Sequence, residues 1–181
     1  MANITLAVTG SISAYKAADL TSQLTKLGHN VTVLMTRSAT EFIAPLTFQA
    51  LSKNIVHLDI MVEEDPTSIK HIDIAKTTDL FLVAPASANT LAKLANGLAD
   101  DIVSAVALAL PIGVPKLIAP AMNTNMYLNP ATQNNLEKLA RYDYQEIKPR
   151  EALLACGDFG TGALAEIDAI LEKVSKTLHE V

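Results

Sequence analysis

Apolar residues along this chain fall into two patterns. Short unbroken runs rich in Val, Ile and Leu occupy Ile4–Val8, Val31–Met35, Leu80–Ala84 and Lys116–Ala119. Runs of that length without polar alternation predict strands buried on both faces. Longer stretches lie between and after them, at Ser13–Leu27, Ser87–Ala95, Asp101–Leu110, Pro130–Ala140 and Glu166–Leu178. There apolar residues recur at the three-to-four-residue period of a helix.

Strand and helix alternate, which predicts a parallel sheet covered by helices on both faces. The expected architecture is a single-domain, doubly wound α/β fold of the Rossmann or flavodoxin-like kind over residues 1–181. Turn residues agree: Gly28-His29-Asn30 closes the first helix and Asn129-Pro130 opens a late one. The polar stretch Val62–Ser68 predicts a surface loop. Tyr142–Phe159 lacks clear periodicity and is expected to be irregular, with one short strand at most. No linker, repeat or low-complexity tract interrupts the pattern.

Composition narrows the function. The chain has 181 residues, 50% of them hydrophobic and only 18% charged, against about 25% charged in ordinary soluble domains. Burial of surface between subunits would account for the deficit. A net charge of -5 without a Lys/Arg cluster argues against nucleic acid and anionic lipid as partners. The longest predominantly apolar run, Ile102–Leu110, ends at Pro111, well short of the ~20 residues that span a bilayer. It predicts a buried helix. The start of the chain has no secretory signal pattern, so a cytoplasmic location is expected. One cysteine, Cys156, and four scattered histidines leave neither an internal disulfide nor a metal-ligand spacing.

Three polar turns are expected at one edge of the sheet. The first strand ends in Thr9-Gly10-Ser11-Ile12-Ser13 and passes directly into a helix. At that edge, free amides and the positive helix end can receive a phosphate. One glycine, where a dinucleotide fingerprint has three, favours a mononucleotide. Thr36-Arg37-Ser38-Ala39-Thr40 follows the second strand, and Ala84-Pro85-Ala86-Ser87-Ala88-Asn89-Thr90 follows the third of the four runs. Helix capping would explain each turn singly. Their convergence, with small side chains that leave room for a flat ring, favours a ligand.

Two further segments carry unusual residues. Pro120-Ala121-Met122-Asn123-Thr124-Asn125-Met126-Tyr127 sets methionines that can pack on a ring beside asparagines that can hold a carboxylate. Spacing alone equally suits a helix start with core methionines. Leu153–Gly162 places Cys156 among Gly157, Gly160 and Gly162, suggesting a loop that closes over a site. His71 opens a helical stretch, and a lone histidine there is more often structural.

In order and in wording these segments resemble the homo-oligomeric flavin-containing cysteine decarboxylases, most closely those acting on phosphopantothenoylcysteine. Gly10–Lys16, His71, Pro85–Thr90, Pro120–Asn123 and Leu154-Ala155-Cys156-Gly157-Asp158 carry the resemblance. It implies FMN as cofactor, with Gly10, Ser11, Ser13, Ser38, Ser87, Asn89, Thr90 and Met122 as the contacts to phosphate and ring. It implies a small-molecule substrate held by Asn123, Met126 and Ala155. His71 is implied as the base near the substrate thiol, and Cys156 as the late proton donor. A trimer or multiple of trimers is implied, as is a separate ligase supplying the substrate.

Departures from the family are Tyr127, where Trp is frequent, and Ala163, where a basic residue is common after the last glycine. Substrate grip by the Cys156 loop is the function these touch. A lantibiotic-type decarboxylase of C-terminal cysteine peptides is the nearest rival reading. Prenyl-FMN synthases and non-catalytic phosphatase-regulating relatives fit less well, because His71, Asn123 and Cys156 occur together.

Overall fold

The computed structural model describes residues 1–62 and 67–180; most of the predicted Val62–Ser68 loop therefore lies outside the described residues. In chain order the elements are β1 (Asn3–Val8), α1 (Ala14–Lys26), β2 (Asn30–Met35), α2 (Arg37–Thr40), α3 (Pro45–Ser52), β3 (Val56–His57), α4 (Lys70–Thr77) and β4 (Leu80–Ala86). There follow α5 (Ala88–Asn96), α6 (Ile102–Ala109), β5 (Lys116–Pro120), α7 (Thr124–Leu128), α8 (Pro130–Ala140), β6 (Tyr144–Glu146), β7 (Arg150–Leu153), β8 (Phe159–Ala163) and α9 (Ile167–His179).

Six strands form one sheet in the order β3-β2-β1-β4-β5-β6, every neighbouring pair parallel. This is the doubly wound order in which ligands bind beyond the carboxyl ends of the central strands, where the winding reverses. Here that point lies between β1 and β4. The two central strands are almost wholly buried because both faces are covered: Leu6, Leu80 and Leu82 pack with α1, α3 and α9, while Ala7, Phe81 and Val83 pack with α4, α5, α6 and α8. Period-2 alternation sends neighbours to opposite helical layers, so both faces demand apolar residues and the strands read as unbroken runs.

The first helix ends as its turn residues predict. Gly28 takes φ 86° and its amide bonds to the Thr25 carbonyl at 3.0 Å, a left-handed conformation that glycine adopts without steric cost. The long apolar helix α6 starts from a reciprocal cap, with Ser104 N donating to Asp101 Oδ1 at 2.9 Å and Asp101 N donating to Ser104 Oγ at 3.3 Å.

One stretch differs from its sequence expectation. Tyr142–Phe159 contains the edge strand β6, all of β7 and the start of β8, where at most one short strand is expected. β7 and β8 form an antiparallel hairpin apart from the main sheet. The hairpin is hard to read because its residues are alternately exposed and its cross-strand partners include Gly160. The Cys156 segment is thus the tip of a hairpin with paired strands.

Candidate functional site

The first and third polar turns are clasped together by one buried hydroxyl. Thr9 Oγ1, fully buried at the end of β1, donates to the Pro85 carbonyl at 2.7 Å and accepts from the Ser87 amide at 2.8 Å. The second turn meets them at Gly10: a Cβ there would lie 2.5 Å from the Ser38 Cβ, so only glycine permits this approach. Convergence of the three turns, expected from topology, is therefore literal contact. Thr9 is the residue that pattern alone does not mark; its signal is a hydroxyl closing an otherwise apolar strand.

These turns border two adjoining cavities. A larger one, of about 460 Å³, is lined by Gly10, Ser11, Ser13, Ser87, Met122, Asn123, Met126, Ala155 and Cys156 among others. A smaller one, of about 390 Å³, is lined by Gly10, Ser38, Ser87, Asn89, Thr90 and Met126 among others. Gly10, Ser87, Ala88 and Met126 belong to both, which makes them two lobes of one site. Volumes of this size suit a small-molecule ligand.

Capping accounts for some of the hydroxyls and leaves others available. Ser87 Oγ accepts from the Thr90 amide at 3.3 Å and bonds to Thr90 Oγ1 at 3.1 Å, and Thr36 Oγ1 caps α2 through Ala39 N at 3.3 Å. Ser13, at the N-cap of α1, makes no side-chain capping bond. Its hydroxyl stands at the positive end of a 13-residue helix and can be given to an anion.

Asn123 and Cys156 meet across the larger lobe. Asn123 is the N-cap of α7, and its Oδ1 accepts from the Asn125 amide at 2.8 Å. That bond fixes which end of the carboxamide faces the cavity. Nδ2 is directed outward and donates to Cys156 Sγ at 3.3 Å. The thiol in turn donates to Asp158 Oδ2 at 3.3 Å. Asp158 is the second residue that spacing does not mark, though it belongs to the Leu-Ala-Cys-Gly-Asp segment.

Backbone bonds hold this pair in place. The Met122 amide donates to the Gly162 carbonyl at 2.9 Å, tying the Asn123 segment to the hairpin, and the tip closes through Leu154 N to Asp158 O at 2.8 Å and Gly157 N to Leu154 O at 2.9 Å. Behind α7, the Tyr127 hydroxyl donates to Glu146 Oε1 at 2.9 Å, and Gln133 Nε2 donates to the Tyr127 carbonyl at 2.6 Å. Burial, reinforced by the Glu146 carboxylate, pushes the Tyr127 phenol up to about 12.

His71 is not brought to either cavity of this chain. It sits in the first turn of α4, whose other end meets the amino edge of the sheet through Asp79 N to Asn3 O at 2.9 Å. The helix thus starts at the carboxyl edge, the same edge as the site, but on the layer that packs with α6. Its Nδ1 is buried and has no hydrogen-bond partner among the described residues.

The chain is similar to known proteins over nearly its whole length. The chain is 61% identical over 175 residues to a "Probable phosphopantothenoylcysteine decarboxylase" of Streptococcus mutans, covering 97% of this chain and 98% of that protein. It is 47% identical to the "Coenzyme A biosynthesis bifunctional protein CoaBC" of Bacillus subtilis, of which it spans 43%. Among solved structures, a PPC decarboxylase mutant complexed with pantothenoylaminoethenethiol superposes with a TM-score of 0.89 at 31% identity, covering 98% of each chain. "The FMN binding protein AtHal3" gives 0.86 at 31% identity, covering 99% of this chain and 98% of the other. The Flavoprotein family model matches residues 1–179, and the chain belongs to that family.

Proposed function

We propose that this protein is an FMN-dependent phosphopantothenoylcysteine decarboxylase, forming phosphopantetheine for coenzyme A biosynthesis. The observation that carries the reading is the Asn123–Cys156 pair, 3.3 Å apart, in a cavity that also contains the mononucleotide turns. The near-full-length Streptococcus mutans relative supports the substrate.

The donors fit FMN. Gly10 approaches Ser38 too closely for any side chain, the Ser13 hydroxyl makes no capping bond at its helix start, and among the described residues the larger lobe is lined by Lys16 and Arg150 without an acidic side chain. Ser11 and Ser13 would receive the phosphate, with Ser38 closing the cradle; Ser87, Asn89, Thr90 and Met122 would border the ring. When bound, FMN takes up and returns the electron pair without which a carboxylate cannot leave a saturated carbon.

The protein's own groups perform the rest. Asn123 Nδ2, already directed outward, donates to the substrate carboxylate in place of the thiol. Met126 and Ala155 border the same lobe and pack against the substrate. Loss of carbon dioxide leaves negative charge on carbon, and overall the reaction consumes one proton. Cys156 supplies it, from a thiol that lines the larger lobe and donates to Asp158. Closure of the hairpin tip over the site would shield it from water and oxygen while the electrons are displaced.

His71 completes the site as the base for the substrate thiol, reaching it from a neighbouring subunit of a trimer or multiple of trimers. Large apolar side chains about half exposed or more line the larger lobe, namely Ile12, Tyr15, Met126 and Leu153, which supports a subunit boundary there. The protein acts in the cytoplasm, and a separate ligase makes its substrate. Among the described residues no helix is long and apolar enough to cross a membrane.

Two measurements test this. FMN-loaded protein incubated with phosphopantothenoylcysteine should release carbon dioxide, seen by mass spectrometry; an unchanged substrate beside turnover of a cysteine-ended peptide would transfer the protein to the rival class. Light scattering should show at least a trimer, and an active FMN-loaded monomer would remove the shared site.

A further inference from the structure

Among the described residues, the larger lobe has two basic lining residues, Lys16 and Arg150, and no acidic one, in a chain of net charge -5. Two lining cations suit two separate anions, with Glu166 offsetting part of the Arg150 charge. Lys16 lies just inside α1, beside the turn assigned to the flavin phosphate. Arg150 opens β7, on the hairpin wall that carries Cys156. No residue of that hairpin lines the smaller lobe with Ser38, so Arg150 faces the part of the site that Asn123 and Cys156 share.

Its guanidinium is held in place with its outer face open. Arg150 Nε donates to the Leu164 carbonyl at 3.2 Å and pairs with Glu166 Oε1 at 2.9 Å. Neither Nη has a hydrogen-bond partner among the described residues. An arginine fixed at Nε presents a pre-oriented fork, the geometry that matches a phosphate by paired bonds. Orientation comes from the hairpin: its register shifts between Arg150 and Glu151, and such a bulge re-aims the side chain beside it. Arg150 pairs across the strands with Ala163, which also lines the lobe. Cross-strand partners project on one face, so the small Ala163 leaves the guanidinium unobstructed.

We propose that Arg150 is the specificity-determining residue for the substrate's terminal phosphate, gripping it through the paired Nη groups while Asn123 and Cys156 hold the cysteine end. The assignment rests on the phosphopantothenoylcysteine reading above.

Steady-state kinetics on the FMN-loaded oligomer would test it, comparing wild type, Arg150→Ala and Arg150→Lys on phosphopantothenoylcysteine and on its dephosphorylated form. Arg150→Ala should raise KM for the phosphorylated substrate about 10- to 100-fold relative to the dephosphorylated one, with kcat largely kept. Arg150→Lys should recover part of that selectivity, since charge remains and the fork is lost. Flavin retention, read from fluorescence, should match wild type in both variants and report that the fold is intact. Equal losses on the two substrates, an unchanged KM ratio, or a loss of FMN specific to Arg150→Ala would overturn the assignment; the last would place Arg150 on the cofactor. Calorimetric binding of phosphopantothenate against pantothenate separates this from the reaction itself. If wild type decarboxylates neither substrate yet shows Arg150-dependent preference for the phosphorylated ligand, the reaction reading falls and the phosphate site stands. Without that preference the site falls.

Discussion

Asn123 Nδ2 lies 3.3 Å from Cys156 Sγ, joining two segments 33 residues apart in sequence. The bond is available because Asn123 Oδ1 is occupied by the Asn125 amide, so the carboxamide cannot turn over without losing its cap. On the proposed reading, substrate binding would exchange one acceptor for another at a donor already aimed. Asn123→Ala should lower kcat/KM by about 10- to 100-fold, the worth of one hydrogen bond to a charged group, while FMN affinity holds. If kcat/KM is unaffected, Asn123 does not hold the carboxylate.

The role of Cys156 can be separated from that of His71. Cys156→Ser should still release carbon dioxide but fail to protonate the carbon, so a product lacking carbon dioxide and two hydrogens accumulates and the flavin stays bleached until air is admitted. His71→Asn should stop the reaction before carbon dioxide is lost. Normal saturated product from Cys156→Ser at an undiminished rate, or no carbon dioxide from it, would remove the proton-donor assignment.

Gly10→Ala places a methyl group 2.5 Å from the Ser38 Cβ. The second turn must then move outward. Strain of this kind costs about 1–3 kcal/mol and falls on the assigned phosphate cradle. FMN affinity, measured by quenching of flavin fluorescence, should drop about tenfold or more with the secondary structure unchanged. Wild-type affinity would show that the close approach does not serve the cofactor.

Acid stability should depend on Asp101. Burial acts to raise its carboxyl, but hydrogen bonds from the Lys93 ammonium, at 2.8 Å, and from Ser104 outweigh it and hold the group below its ordinary range. With the folded value below the unfolded ~3.9, the folded state resists protonation. Its stabilisation is present above that value and is lost as pH falls through the folded one. Asp101→Asn keeps a good capping residue and should cost about 1–2 kcal/mol at pH 7, a gap that narrows near pH 3 in urea titrations. A gap independent of pH would mean that the charge contributes nothing.

Alkaline titration reports on the packing behind the site. Burial raises Tyr144 to about 12, and burial with Glu146 raises Tyr127 to about 12. Both folded values exceed the ordinary ~10, so the stabilisation is complete below that pH and is lost as pH rises toward 12. In a pH-jump absorbance titration, Tyr127→Phe and Tyr144→Phe should each remove one late-ionising group. Loss of an early-ionising group instead would contradict the Tyr127–Glu146 bond or the burial of Tyr144.

The sequence by itself determined the doubly wound sheet, because strands covered on both faces must be apolar throughout, and that signal survives in Ile4–Val8 and Leu80–Ala84 without knowledge of their neighbours. It also determined that the three polar turns share one edge, since successive parallel strands end on the same side. Tertiary structure alone decided that Thr9 clasps the Ser87 turn, that Gly10 abuts Ser38, and that Asn123 reaches Cys156. Each depends on the distance between chain segments far apart in sequence, which no periodicity encodes. The hairpin was illegible for a related reason. Its strands are held by each other and by Met122 rather than by a buried face, so they bear no hydrophobic alternation, and their pairing decides that Arg150 and Cys156 look into the same cavity.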